Sequence, residues 1–304
     1  MKTNQNISVE LRKPQSLILD HQSSNSRLEL SLENGASIEN FYMNGLHIIA
    51  ALETIPYGES YASALLFPFV NRISDGTYNF QNEKFQLDCN HAAEGHAIHG
   101  LVYNKRFEIV DEHISDKESI ISLQYNQENG QTGFPFKYNF QVTYKLGHNT
   151  LGIEFQVKNT DGQPFPFSIG WHPYFKTSDI SKTTLVFLAK EQFTNNCRNI
   201  PVQSDGLSGK RYLNFNAPKD DCYGLNDKKV EFCTPEYKMT IINSNGSNYL
   251  QIYTPPQTNL VAIEPMTAAP DCFNNKYGLK VLAPHQIFKE KFQLIFEQPT
   301  NHKA

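Results

Sequence analysis

A chain of 304 residues, 39% hydrophobic and 19% charged, has the composition of a folded protein with a large core and excludes a disordered one. A formal net charge of −4, with basic residues clustering no further than isolated pairs, excludes a nucleic-acid footprint. Five cysteines, Cys89, Cys197, Cys222, Cys233 and Cys272, form no C-x-x-C pair, which argues against a disulfide framework or zinc ribbon and for a reducing compartment.

The chain begins MKTNQNISVELRKPQ, without the apolar core of a signal peptide. No stretch reaches the roughly 20 apolar residues of a membrane span, so the expected location is the cytoplasm, away from membranes. Leu28, Leu30 and Leu32 then alternate with Glu29, Ser31 and Glu33, and Asn34-Gly35 supplies a hairpin-type turn. A second strand is expected from Ser37 to Tyr42, with Asn44-Gly45 marking the next reversal. Residues 59–66 offer one short helical turn, and 76–88 read as a hairpin around a polar tip.

The clearest alternation lies at 137–146 and 150–158, joined by Gly147-His148-Asn149. There Tyr138, Phe140, Val142 and Tyr144, then Leu151, Ile153, Phe155 and Val157, occupy one parity. Half-buried antiparallel strands give this pattern, because one face of the sheet is dry and the other wet. Further strands are expected at 183–189, 237–243, 248–254, 259–263 and 289–297. Phe-Pro-Phe recurs at 67–69, 134–136 and 165–167 with unequal spacing, which suits rigid starts to strands rather than a repeat. Many short strands and few helical stretches point to one large all-β domain over residues 1–304, a sandwich or barrel.

Four places hold polar residues that strand alternation and turn chemistry do not explain. Asn71-Arg72 follows the apolar run from Leu65 to Val70; the arginine is either a fork of donors toward a substrate oxygen or the partner of a neighbouring acid. His96-Ala97-Ile98-His99-Gly100 comes next, with His91 and Glu94 upstream. The spacing of His91, His96 and His99 suits neither a helix face nor one side of a strand, so no metal centre is expected. Ser168-Ile169-Gly170-Trp171-His172-Pro173-Tyr174-Phe175 sets the only tryptophan beside a histidine. Trp171 and His172 there either form an aromatic wall beside a titratable group or cap a core edge. Finally, Glu264 is expected to end an apolar strand before Pro265, either as a desolvated proton acceptor or as an ordinary glutamate in solvent.

Taken together, LFPFVNRISDGTYNFQNEKFQL, AIHGLVYNKRFEI, TGFPFKYNFQVTY, FSIGWHPYF and IEPMTAAPDCFN resemble, in order, the aldose 1-epimerase (galactose mutarotase) family. The resemblance is closer to a divergent branch, since Leu101 replaces a second glycine after His99-Gly100. It implies a large antiparallel β-sandwich, with a cleft that interconverts the α and β anomers of a hexose without metal or cofactor. It implies Glu264 as general base on the C1 hydroxyl, His172 as general acid on the ring oxygen, and His99 beside that oxygen. Arg72 and Asn71 would bind sugar hydroxyls, and Trp171 would either line the sugar or hold the loop. Asp221 would be the substrate-binding aspartate, with Asp220 as the alternative. The expected partner is a monosaccharide, bound by a monomer or homodimer. A hexose-6-phosphate epimerase, using Lys105, Arg106 or Lys176 for phosphate, and a non-catalytic carbohydrate-binding protein are the other readings.

Overall fold

The computed structural model describes residues 9–12, 16–21, 24–52, 54–244, 246 and 248–297. Antiparallel pairing joins twenty strands into one network, with three small two-stranded ladders beside it. This is a large antiparallel β-sandwich, and its apolar core runs from Leu17 to Phe296. All five cysteines are free thiols, and no helix among the described residues is long and apolar enough to cross a membrane.

The alternation dictates the layering. Tyr138–Gly147 and Thr150–Asn159 pair with Phe140 opposite Val157, Val142 opposite Phe155 and Tyr144 opposite Ile153, all buried. The second of these strands pairs in turn with Ile287–Glu297, and Phe155 meets Phe292 at 5.3 Å between ring centroids. Ser26–Ser31, Ser37–Met43, Lys238–Asn243 and Tyr249–Tyr253 fall close to where alternation places them. The expected hairpin is Thr77–Phe80 paired with Glu83–Gln86.

Several elements differ from expectation for identifiable reasons. Residues 59–66 split into one helical turn, Tyr57–Ser60, and a short strand, Leu65–Leu66. Glu108–Ile114 is an exposed strand with almost no dry side, so alternation had nothing to mark. Asp220–Cys233 is a 14-residue strand whose Asp, Gly, Asn and Lys content resembles a loop, and its register against Thr184–Asn195 shifts twice. Glu264 does not end its strand, because Leu260–Met266 continues through Pro265. The N–H groups of Ile263 and Thr267 donate to Pro173 and Ile169 on one side of that strand. Pro265 shares their parity, and its missing N–H falls where the neighbouring chain leaves the ladder between Gly170 and Tyr174.

The three Phe-Pro-Phe motifs converge in space. Phe67, Phe134 and Phe165 pack with centroids 6.5, 6.4 and 5.5 Å apart, and Phe165–Phe167 pairs with Lys280–Leu282. This aromatic cluster backs the loop that carries His99, since Leu101 donates its N–H to the Phe67 carbonyl at 2.6 Å. Phe165→Ala should cost about 3–5 kcal/mol, because a fully buried ring would leave a cavity that rigid strands cannot close. The urea unfolding midpoint checks this, and a variant within 1 kcal/mol of the parent (about a third of that cost) would contradict it.

Candidate active site

Three short ladders bring distant segments to one place. Leu65–Leu66 pairs with Gly170–Trp171, and Gly170 also pairs with Met266. A Cβ on Gly170 would meet Val70 Cγ1 at 2.9 Å and Met266 Cγ at 3.1 Å, so glycine lets these segments approach. The chain leaves the ladder at His172. Its N–H donates to the Ala64 carbonyl at 3.1 Å, and its carbonyl accepts from Ser63 N–H at 2.8 Å. It rejoins at Tyr174, opposite Ala262, so the imidazole is held from both sides.

His99 comes from the second ladder, in which Ile98 pairs with Arg72. Its φ is +62°, and its N–H donates to the Asn71 carbonyl at 2.8 Å, where Asn71 is itself left-handed at +48°. Gly100 follows at φ +77°, and a Cβ there would lie 2.3 Å from the Phe67 carbonyl oxygen. Glu264 comes from the third segment, opposite Gln251, whose Nε2 donates to Asp220 Oδ1 at 2.6 Å.

His172 Nε2 lies 3.3 Å from Glu264 Oε1, with the two residues 5% and 1% exposed. The ring of His99 stands edge-on to His172, centroids 4.8 Å apart, and Tyr61 and Tyr174 flank the two imidazoles at 4.7 and 5.1 Å. The three face a cleft of about 340 Å³, walled also by Arg72, Asn71, Asp220 and Tyr253. That size fits one small molecule. Among the described residues, His99, His172 and Glu264 are also the group whose donor atoms converge enough to hold a metal, all within 4.8 Å of one another. His91, His96 and His99 form no such set, since His96 sits between Asp75 N–H and the Arg198 carbonyl, at 3.1 Å from each.

Arg72 is the partner of a neighbouring acid and also a wall of the cleft. Its Nε and Nη2 donate to the two oxygens of Glu94 at 2.6 and 3.2 Å, its Nη1 donates to Asn71 Oδ1 at 3.1 Å, and it still lines the cleft. Asn199 Nδ2 donates to the same glutamate at 2.7 Å, so the guanidinium is oriented by a fixed carboxylate. Two expectations need correction. Trp171 is fully buried and packs edge-on against Phe175 at 6.1 Å, so it holds the strand and does not wall the cleft. Asp221 points away, with Gln192 Nε2 at 3.5 Å, while its neighbour Asp220 faces the cleft. One step along a strand reverses the face, which is why the alternative aspartate is the one in place. Sequence reasoning also passed over Tyr61, Tyr253 and Asn199, which carry no local motif. Glu94 it noticed only as a neighbour of histidines.

Burial governs the electrostatics. Together with the Arg72 charge, it pushes the His172 imidazole down to about 4. It raises the Glu264 carboxyl well above the usual range; Asp220 adds to that rise and Arg72 offsets part of it. His99 is lowered well below an ordinary histidine by burial, then by His172 and Arg72. The Asp220 side chain reaches solvent through the cleft mouth, yet the enclosing protein still raises its carboxyl, with Arg72 opposing. All four of these shifts favour the neutral form, as expected where charge is poorly solvated.

The sequence matches the aldose 1-epimerase family over residues 22–294. The chain belongs to the aldose 1-epimerase family. A galactose mutarotase-like protein from Clostridium acetobutylicum superposes with a TM-score of 0.84 at 18% identity, covering 96% of this chain and 98% of that one. The galactose 1-epimerase from Lactobacillus acidophilus NCFM gives 0.78 at 15% identity, with the same coverage. The Escherichia coli (strain K12) protein YihR is 24% identical over 270 residues, 84% of this chain and 86% of YihR. At these identities the solved structures establish the fold. In this aldose 1-epimerase family chain the left-handed turn at Gly100 sets the place of His99. Gly100→Ala should therefore destabilise it by about 2 kcal/mol or more, read from the urea midpoint. An unchanged midpoint would show that the turn relaxes freely.

Proposed function

We propose that the protein is an aldose 1-epimerase acting on an unphosphorylated sugar. The observation that carries this is the buried His172–Glu264 pair, 3.3 Å apart and open to a cleft of monosaccharide size. Glu264 takes the proton of the C1 hydroxyl while His172 gives a proton to the ring oxygen. The C1–O5 bond breaks and the C1 carbonyl forms. Rotation about C1–C2 presents the other face, and the two transfers run in reverse. A raised carboxyl is a stronger base and a lowered imidazole a stronger acid, so both shifts favour the direction of transfer. His99 stands beside His172 and orients the ring oxygen. Arg72, Asn71 and Asp220 bind hydroxyls from the opposite wall.

The cleft's charge argues against a sugar phosphate. Glu59, Glu94, Asp220 and Glu264 line it, and the arginine among them is held by Glu94. Lys105 and Lys176 do not line it, and Arg106 pairs with Glu33 at 2.9 Å. Among the described residues, a phosphate there would meet carboxylates and no cation outside the Arg72–Glu94 pair.

Polarimetry of freshly dissolved α-D-glucose, α-D-galactose and their 6-phosphates tests the reading. Faster equilibration than buffer is expected for a free sugar and not for the phosphates. Glu264→Gln and His172→Asn should each lower kcat by about 10²–10⁴-fold, and near-parental turnover in either would refute its role.

The pH profile is a separate check. Between about pH 4 and the raised range of the Glu264 carboxyl, the pair holds one proton, shared between a lowered imidazole and that carboxyl. As pH falls through about 4, His172 gains a second proton while Glu264 keeps its own, and no base remains. The acid limb of kcat/KM should thus lie near pH 4. A limb near 6.5, where a free histidine titrates, would contradict the buried pair.

A further inference from the structure

The His99 imidazole is not oriented through its Nδ1. Among the described residues that nitrogen is buried without a hydrogen-bond partner, and the ring lies between Tyr61 at 4.7 Å and His172 at 4.8 Å. Its place therefore depends on the backbone that carries it and on the rings that pack against it.

Ile98 precedes His99 in the ladder with Arg72. His99 N–H closes that ladder by donating to the Asn71 carbonyl. Antiparallel pairs alternate, so the N–H and C=O of Ile98 point the other way, off the ladder. They meet the Asn90 side chain there. Ile98 N–H donates to Asn90 Oδ1 at 2.7 Å, and Asn90 Nδ2 donates to the Ile98 carbonyl at 3.0 Å. One side-chain amide thus takes the place of a strand partner.

The same amide reaches the ring beside His99. Its Nδ2 also donates to the Tyr61 hydroxyl oxygen at 3.1 Å, with the Tyr103 hydroxyl at 3.4 Å. Tyr61 and Tyr103 pack edge-on at 4.9 Å between centroids, and Tyr61 is held left-handed at φ +49° after the helical turn Tyr57–Ser60. Asn90 itself is exposed and does not line the cleft. An aspartate there would set a second acceptor against the Ile98 carbonyl, and an alanine would leave both Ile98 groups to water.

We propose that Asn90 is a positioning residue for the acid–base site. It fixes His99 from two directions, through the Ile98 backbone and through the Tyr61 ring, without touching the sugar. For its effect on turnover this rests on the aldose reading of the cleft; for its effect on His99 it does not.

Asn90→Ala and Asn90→Asp test the role, with α-D-glucose or α-D-galactose as substrate, whichever the parent equilibrates faster. Each should lower kcat by about 10- to 100-fold, the scale of a slightly misplaced reacting geometry, and leave KM within about two-fold. KM is spared because Arg72 and Asp220 are held by Glu94 and Gln251, not by Asn90. The imidazole NMR signals of His99, assigned by their loss in His99→Gln, should shift in both variants. Asn90→Asp keeps the acceptor for Ile98 N–H, so its urea midpoint should stay near that of the parent. Parental kcat, a loss carried by KM instead, or unmoved His99 signals overturns the proposal. A collapsed midpoint in both variants overturns it too, by assigning Asn90 to the fold as a whole. If the parent equilibrates neither sugar, the aldose reading falls alone and the His99 signals decide the positioning role.

Discussion

The arrangement depends on one acid kept out of water. Glu264 lies within the strand Leu260–Met266, every residue of which after Leu260 is buried, and it meets another buried titratable group, His172, at 3.3 Å. A lone carboxylate there would be costly, so the site holds neutral forms, with one proton available to either partner. Its surroundings follow from that. Arg72 brings positive charge near but is tied to Glu94, and Gln251 stands opposite Glu264 while donating to Asp220. The charged groups are thus kept at the cleft wall, apart from the buried pair.

Backbone strain gathers in the same neighbourhood. Tyr61, Ser63, Asn71 and His99 are all non-glycine residues with positive φ, and all lie beside the cleft or on the segment that pins His172. Left-handed conformations of this kind cost free energy and persist where the surrounding structure over-determines them. Here the ladders around Leu65–Leu66, Arg72–Ile73 and Gly170–Trp171 supply that constraint.

Much of the fold was legible because one face of each strand is dry. Period-two runs such as Tyr138 to Tyr144 announce themselves, whereas Glu108–Ile114 has no dry face and Asp220–Cys233 carries turn-like residues. The segments of the candidate site were legible as polar residues out of pattern, and the structure brings His99, His172, Glu264, Asn71 and Arg72 together. Which side chain of a pair faces inward was not. Asp220 and Asp221 are chemically alike, and only the register Asp220–Tyr253 and Asp221–Ile252 decides between them. Trp171 misled for a similar reason, since its size suits a binding wall and a core equally. Pro265 looked like a strand end because a sequence does not reveal that its missing N–H meets a gap.

The short ladders that hold the site also fix when it can exist. His99, His172 and Glu264 come from segments far apart in the chain, and they are joined by pairings of only one to three residues. None of these ladders is stable alone, so each forms only once the long strands around it are in register. During refolding, the assembled candidate site is therefore the last feature to return, after strand content and compactness. Closure of the site marks completion of the whole sandwich rather than of any part of it.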